Sequence, residues 1–220
     1  MITVRLALEE DTVDLCSIEE QAWSLGGKEI CASPSKICAR IRTYPKGVSI
    51  ALYQGVACGS QYAFRLQWDG RTENLSTWDT MTSYGNIDSV HKSSGNTGFL
   101  VGVGVVPSYR GCKHSHNLTH YAKEYKVSEL LITFTLGNLF QDGVSKVIGC
   151  ARVPWFYKQA SMDIEEYCKL CREDGNLFDP VLRFHVRMGA KLVKPVLYAM
   201  DDPESRNAGC WVQYDSPFTG

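Results

Sequence analysis

The stretch Phe99-Leu-Val-Gly-Val-Gly-Val-Val106 carries no polar side chain and stops at Pro107. Such a run reads as a buried strand, and proline ends it because it has no N–H to give a ladder. A chain with a strand of this kind must cover both its faces, which points to a sheet flanked by helices. The remaining periodicities agree. Ile2–Leu6 alternates as a strand. Asp11-Thr12 caps a helix whose apolar face is Val13, Leu15, Cys16, Ile18, Ala22 and Trp23, and Ser35–Tyr44 predicts a second, basic helix. Gly47–Ala57 and Ser60–Trp68 form a meander around Tyr53-Gln-Gly-Val56. Residues 69–97 are polar and read as a long loop with room for a short helix.

Beyond Pro107 the pattern predicts a helix starting after Arg110-Gly111 and running through Leu118, Ala122 and Tyr125. Leu130–Leu139 is a helix or a strand, and Val144–Val153 is a strand. Residues 163–173 are helical, Leu182–Met188 is a short helix ended by Gly189, and Lys191–Leu197 and Gly209–Tyr214 are closing strands. The expected architecture is one α/β (α+β) domain over residues 1–220 with a mixed central sheet.

Lys and Arg number 23 against 24 Asp and Glu, a net charge of −1. That balance excludes a general nucleic-acid binder, which needs a basic surface to displace counterions. No apolar run approaches the roughly 20 residues of a membrane span, and Met-Ile-Thr-Val lacks the pattern of a secretory signal. The expectation is a cytoplasmic protein without nucleic-acid or membrane partners. Nine scattered cysteines do not form a disulfide framework, and the pair Cys168/Cys171 has no second ligand pair to complete a zinc site. Among His114, His116 and His120 only the last two share a helical face. No metal is predicted.

Chemistry concentrates after the buried strand, in Pro107-Ser-Tyr-Arg-Gly-Cys-Lys-His-Ser115. Backbone N–H groups at such a turn, with Arg110 and Lys113 nearby, make an anion site suited to a pyrophosphate. An ordinary strand–turn–helix with a solvated arginine fits the same residues.

Val103 to Ser115 resembles the motif of the GNAT acyltransferase superfamily, an apolar strand, a proline, then Arg/Gln-x-x-Gly-x-Gly/Ala before a helix. The resemblance implies a mixed sheet splayed at an acyl-CoA site. Val105 and Val106 would then meet pantetheine, and Arg110, Gly111, Lys113 and Ser115 the phosphates of coenzyme A. Lys113 stands where the motif has its middle glycine. Asp179-Pro-Val-Leu-Arg-Phe-His-Val-Arg-Met-Gly-Ala190, with Asn207 and the strand ending Tyr214-Asp215, is similar to the GNAT-like loading domains of polyketide synthases, the curacin type. Glu19 to Trp23 and Ser60-Gln61 also fit.

That resemblance implies decarboxylation of a malonyl- or methylmalonyl-type thioester and transfer of the acyl group to an acyl carrier protein. The domain could be stand-alone or cut from a larger synthase with neighbouring domains. His185 would be proton donor or oxyanion partner, Arg183 (with Arg187) would hold the departing carboxylate, and Trp23 would shape the acyl pocket. Two departures stand out. Ala151 occupies the position of a pattern threonine, and Tyr198-Ala199-Met200 replaces Tyr-Arg-Pro. The alternatives are an amine N-acetyltransferase using acetyl-CoA, with Tyr198 or Tyr214 as general acid, and an inactive GNAT-like docking domain.

Overall fold

The computed structural model describes residues 1–23, 31–111, 113–115 and 124–218, with backbone only for 113–115. Seven strands form one mixed sheet in the order β1-β2-β3-β4-β7-β9-β8. They are β1 (Ile2–Leu6), β2 (Val48–Tyr53), β3 (Val56–Leu66), β4 (Thr97–Val105), β7 (Lys146–Arg152), β8 (Lys191–Val196) and β9 (Gly209–Asp215). Every neighbouring pair is antiparallel except β4 with β7. The β2–β3 hairpin turns at Gln54-Gly55, both at positive φ, the backbone twist that two-residue hairpins require.

Helices α1 (Thr12–Ala22), α2 (Pro34–Thr43), α3 (Trp78–Thr82), α4 (Val127–Gln141), α5 (Ile164–Lys169) and α6 (Pro180–Arg187) flank the sheet. α1 packs on β3 and β4, and α4 on β1 to β4. Phe64 stacks on Phe99 at 5.0 Å between ring centroids, and Trp211 meets Phe99 edge-on at 5.7 Å, so aromatic packing joins β3, β4 and β9 on one face. Among the described residues no helix is long and apolar enough to cross a membrane.

The helix expected from Arg110-Gly111 to Tyr125 is corrected at both ends. Lys113–Ser115 (β5) pairs antiparallel with Glu124–Lys126 (β6), and Tyr125 belongs to that ribbon. Leu118, Ala122, His116 and His120 lie outside the described residues. The apolar run 130–139 is helical, part of α4, and it packs across β1 to β4 rather than pairing along one ladder. The helix at 163–173 is shorter than its pattern, ending at Lys169.

Candidate functional site

The parallel contact of β4 with β7 lasts four residue pairs, from Thr97↔Lys146 to Leu100↔Gly149. Beyond it β4 continues to Val105 against β3 alone, and β7 to Arg152 against β9 alone. The two strands part, and the sheet is splayed. A bulge sits at the opening. β3 steps from Tyr62 to Ala63 while β4 steps from Gly102 to Leu100, so Val101 is the extra residue. The bulge reverses which face β4 presents. A Cβ on Gly98 would meet Leu139 of α4, whereas one on Gly104 would meet Ala22 and Ile18 of α1. A Cβ on Gly102 would meet nothing within 4 Å.

Trp78 buttresses this opening. Its indole N–H donates to the bulge carbonyl of Val101 at 2.9 Å, and its backbone N–H donates to Ala199 O at 2.8 Å. Sequence reasoning did not single it out; the one signal was a large aromatic within a polar loop. At the end of β4, Val105 and Val106 are buried. Val105 O accepts from Arg110 Nε at 2.9 Å, and Val106 N–H donates to Cys58 O at 3.0 Å. Arg110 Nη2 also donates to Ala22 O at 2.6 Å, tying the turn to the end of α1. Gly111 holds φ at +74°, a conformation that favours glycine. The backbone of Lys113 and Ser115 lies in β5, and their side chains are outside the described residues.

On the α4 face, α6 starts at Asp179-Pro180. The aspartate caps it by accepting from Val181 N–H (2.9 Å) and Leu182 N–H (3.1 Å), and proline suits the first helical position. Asp179 also accepts from the Tyr167 hydroxyl at 2.8 Å, so the helix start is anchored inside the protein. α6 packs on β7 and β8, and Arg187 pairs with Glu129 in the first turn of α4. His185, 8% exposed, thereby lies over β7 and β8 beside Tyr214 of β9, at the level where β4 and β7 are still paired.

His185 Nδ1 is 2.7 Å from the Tyr214 hydroxyl, and its Nε2 makes no hydrogen bond among the described residues. Burial pushes the imidazole down from 6.5 to about 4, so the ring is neutral near pH 7. Burial also raises the Tyr214 phenol, which stays protonated. Arg183 donates to Leu177 O (2.5 Å) and Phe178 O (3.1 Å). With Arg187 held by Glu129, both arginines that flank His185 in sequence are engaged elsewhere.

Trp23 ends α1 on the opposite face. The Arg152 guanidinium stands 5.8 Å from its ring centroid, and Arg152 is itself held by Asp202 (2.7 Å) and Glu204 (2.7 Å). Glu19 is buried, accepts from Ala32 N–H at 3.1 Å and from the Trp23 side chain, and burial raises its carboxyl. Trp23 is thus fixed from two sides. Ala151, one residue before Arg152, is buried and alternates onto His185's face of the sheet.

The Asp202–Asn207 loop holds Arg152 through Asp202 and Glu204, and Arg206 and Asn207 within it, like Tyr198 before it, are at positive φ. Cys168 is buried beside Cys210, and Cys171 is exposed. Among the described residues no three His, Cys, Asp or Glu side chains cluster as metal ligands would.

No family model matches the chain. It is 28% identical over 219 residues to the uncharacterized N-acetyltransferase YkwB of Bacillus subtilis (strain 168), covering 99% of this chain and 90% of that protein. The loading GNATL domain of CurA from Lyngbya majuscula superposes with a TM-score of 0.77 at 26% identity, covering 98% of each chain. The GphF GNAT-like decarboxylase in complex with isobutyryl-CoA has a TM-score of 0.73 at 24% identity, covering 97% of this chain and 98% of that one.

Proposed function

We propose that the chain, similar over nearly its whole length to proteins of the GNAT superfamily, handles an acyl thioester of coenzyme A in the splay between β4 and β7. The finer reading is decarboxylation of a malonyl- or methylmalonyl-type group and its transfer to the thiol of an acyl carrier protein. The observation that carries it is His185, buried on α6 beside Tyr214 and held neutral by that burial, with no hydrogen bond to its Nε2 among the described residues. The CurA loading domain, similar over 98% of both chains, supports the same assignment.

The chemistry follows from placement. The bond between the carboxylate and the α-carbon breaks, carbon dioxide leaves, and the electron pair moves onto the thioester oxygen as an enolate. A neutral N–H donor at that oxygen stabilises the charge as it develops, and it costs least in a site that excludes water. The enolate then takes a proton at the α-carbon. In the transfer step the carrier thiolate attacks the thioester carbonyl and the thiolate of coenzyme A departs. Phosphate-binding would fall to the Arg110-Gly111 turn with Lys113 and Ser115, and pantetheine to the β4 edge ending at Val105-Val106. Trp23, braced by Arg152 and Glu19, would wall the acyl group. Arg183 is a weaker candidate for holding the carboxylate, since two carbonyls already use its guanidinium.

A second reading is amine N-acetylation, favoured by the name of the Bacillus subtilis relative. Glu19 is the buried carboxylate on the α1 face that such a reaction could use as base. Mass spectrometry separates the two. The protein is incubated with malonyl-CoA and a phosphopantetheinylated carrier protein, or with acetyl-CoA and a panel of amines. Acetyl-carrier formed from malonyl-CoA supports loading. Amine-dependent release of free coenzyme A, with malonyl-CoA intact, overturns it.

A further inference from the structure

We propose that Tyr214 sets the tautomer of His185, donating its hydroxyl hydrogen to Nδ1 so that Nε2 carries the only proton of the ring. The inference deepens the reading of His185 as the donor at the thioester, and its role in turnover rests on that reading.

The argument is a count of hydrogens. Tyr214 lies in β9 directly across from Val147 of β7, is 3% exposed, and has His185 Nδ1 as the only partner of its hydroxyl among the described residues. One hydrogen lies between the two atoms. If the imidazole donated it, the phenol O–H would be a buried donor with no acceptor, and Nε2 would be a bare lone pair. If the phenol donates, the O–H and the Nδ1 lone pair satisfy each other and the remaining N–H is at Nε2. An imidazolium would carry a hydrogen on both nitrogens and orphan the phenol again. It would also bury a charge beside the uncharged rings of Phe184 and Tyr214.

The tautomer decides what the histidine does. With Nε2–H it donates a hydrogen bond to the thioester oxygen. With a bare Nε2 it would present a lone pair to the same oxygen and oppose the charge. Tyr214 is therefore a positioning residue: it acts through His185. The pairing is fixed by the fold, because Asp179 sets the start of α6 and the β7–β9 ladder sets the height of Tyr214.

The test is 15N NMR of the full chain labelled at histidine, without ligand, near neutral pH, with the His185 signals identified by their loss in His185→Gln. The expected result is a protonated Nε2 and a bare, hydrogen-bonded Nδ1 in the wild type. Tyr214→Phe keeps the ring in place, and it should mix the tautomers and lower kcat by about 10- to 100-fold with KM little changed. A proton on Nδ1, an imidazolium, or an unchanged tautomer in Tyr214→Phe overturns the proposal. Since the wild-type spectrum needs no turnover, an Nε2–H ring in a protein that leaves malonyl-CoA intact would fault the decarboxylase reading alone. Decarboxylation by a protein with the other tautomer would fault this inference alone.

Discussion

Acid should unfold this protein partly through one buried ring. In the folded chain His185 titrates at about 4, and in the unfolded chain it returns to the ordinary 6.5. Between those values the unfolded state binds a proton that the folded state refuses, so stability falls as the pH drops through that window. The gap, at about 1.4 kcal/mol per pH unit, caps the contribution at about 3 kcal/mol, fully lost only below the folded value. Going from about pH 7 to about pH 5 should cost about 2 kcal/mol from this group. Other groups titrate over the same range, so the measure is a difference: urea unfolding at both pH values for the wild type and for His185→Gln, which has no proton to take up. The wild type should lose about 2 kcal/mol more than the variant. Equal losses would mean that His185 is not buried and neutral, and the argument built on its unengaged nitrogen would fail with it.

Asp179→Ala should cost about 2–4 kcal/mol in urea unfolding, combining a lost helix cap with an orphaned Tyr167 hydroxyl, whereas Asp179→Asn keeps one cap oxygen and should lose less than half of that. Equal losses in the two variants would contradict the capping role. Trp78→Phe removes the donor to the bulge carbonyl, and it should lower turnover about tenfold while stability falls by about 1 kcal/mol, read from kinetics and thermal unfolding together. Gly102→Val points into open space without a backbone clash, so stability should change by less than about 0.5 kcal/mol while acyl turnover drops at least about tenfold. Full activity in that variant would move the acyl group away from the bulge.

Much of the fold was legible because its signals are local. The apolar run at Phe99–Val106 and the Gly189 stop each encode an element within a few residues, whereas α6 starts at Pro180, two residues before the Leu182 expected. The segment after Gly111 was misread at its ends because helical and strand spacing compete over short stretches, and the β5–β6 ribbon is set by pairing between residues nine to thirteen positions apart. In the site, His185 carried a motif around it, but its partner did not. Tyr214 is 29 positions away, and only the β7–β9 register brings its hydroxyl to Nδ1. The engagements of Arg183 with Leu177 and Phe178, and of Arg187 with Glu129, were equally invisible, since a sequence shows charge but not which carbonyl or carboxylate will claim it. The bulge at Val101 leaves no mark except two glycines on alternate positions, Gly102 and Gly104.

The central claim, that the His185 side chain promotes loss of carbon dioxide from a malonyl-type thioester, is tested most directly by following carbon dioxide release from carboxyl-labelled malonyl-CoA with no acceptor present. The wild type should release label and leave acetyl-CoA, and His185→Ala, folded by circular dichroism, should release at least about 100-fold less. Malonyl-CoA left intact by the wild type, or equal release by the variant, would contradict the account.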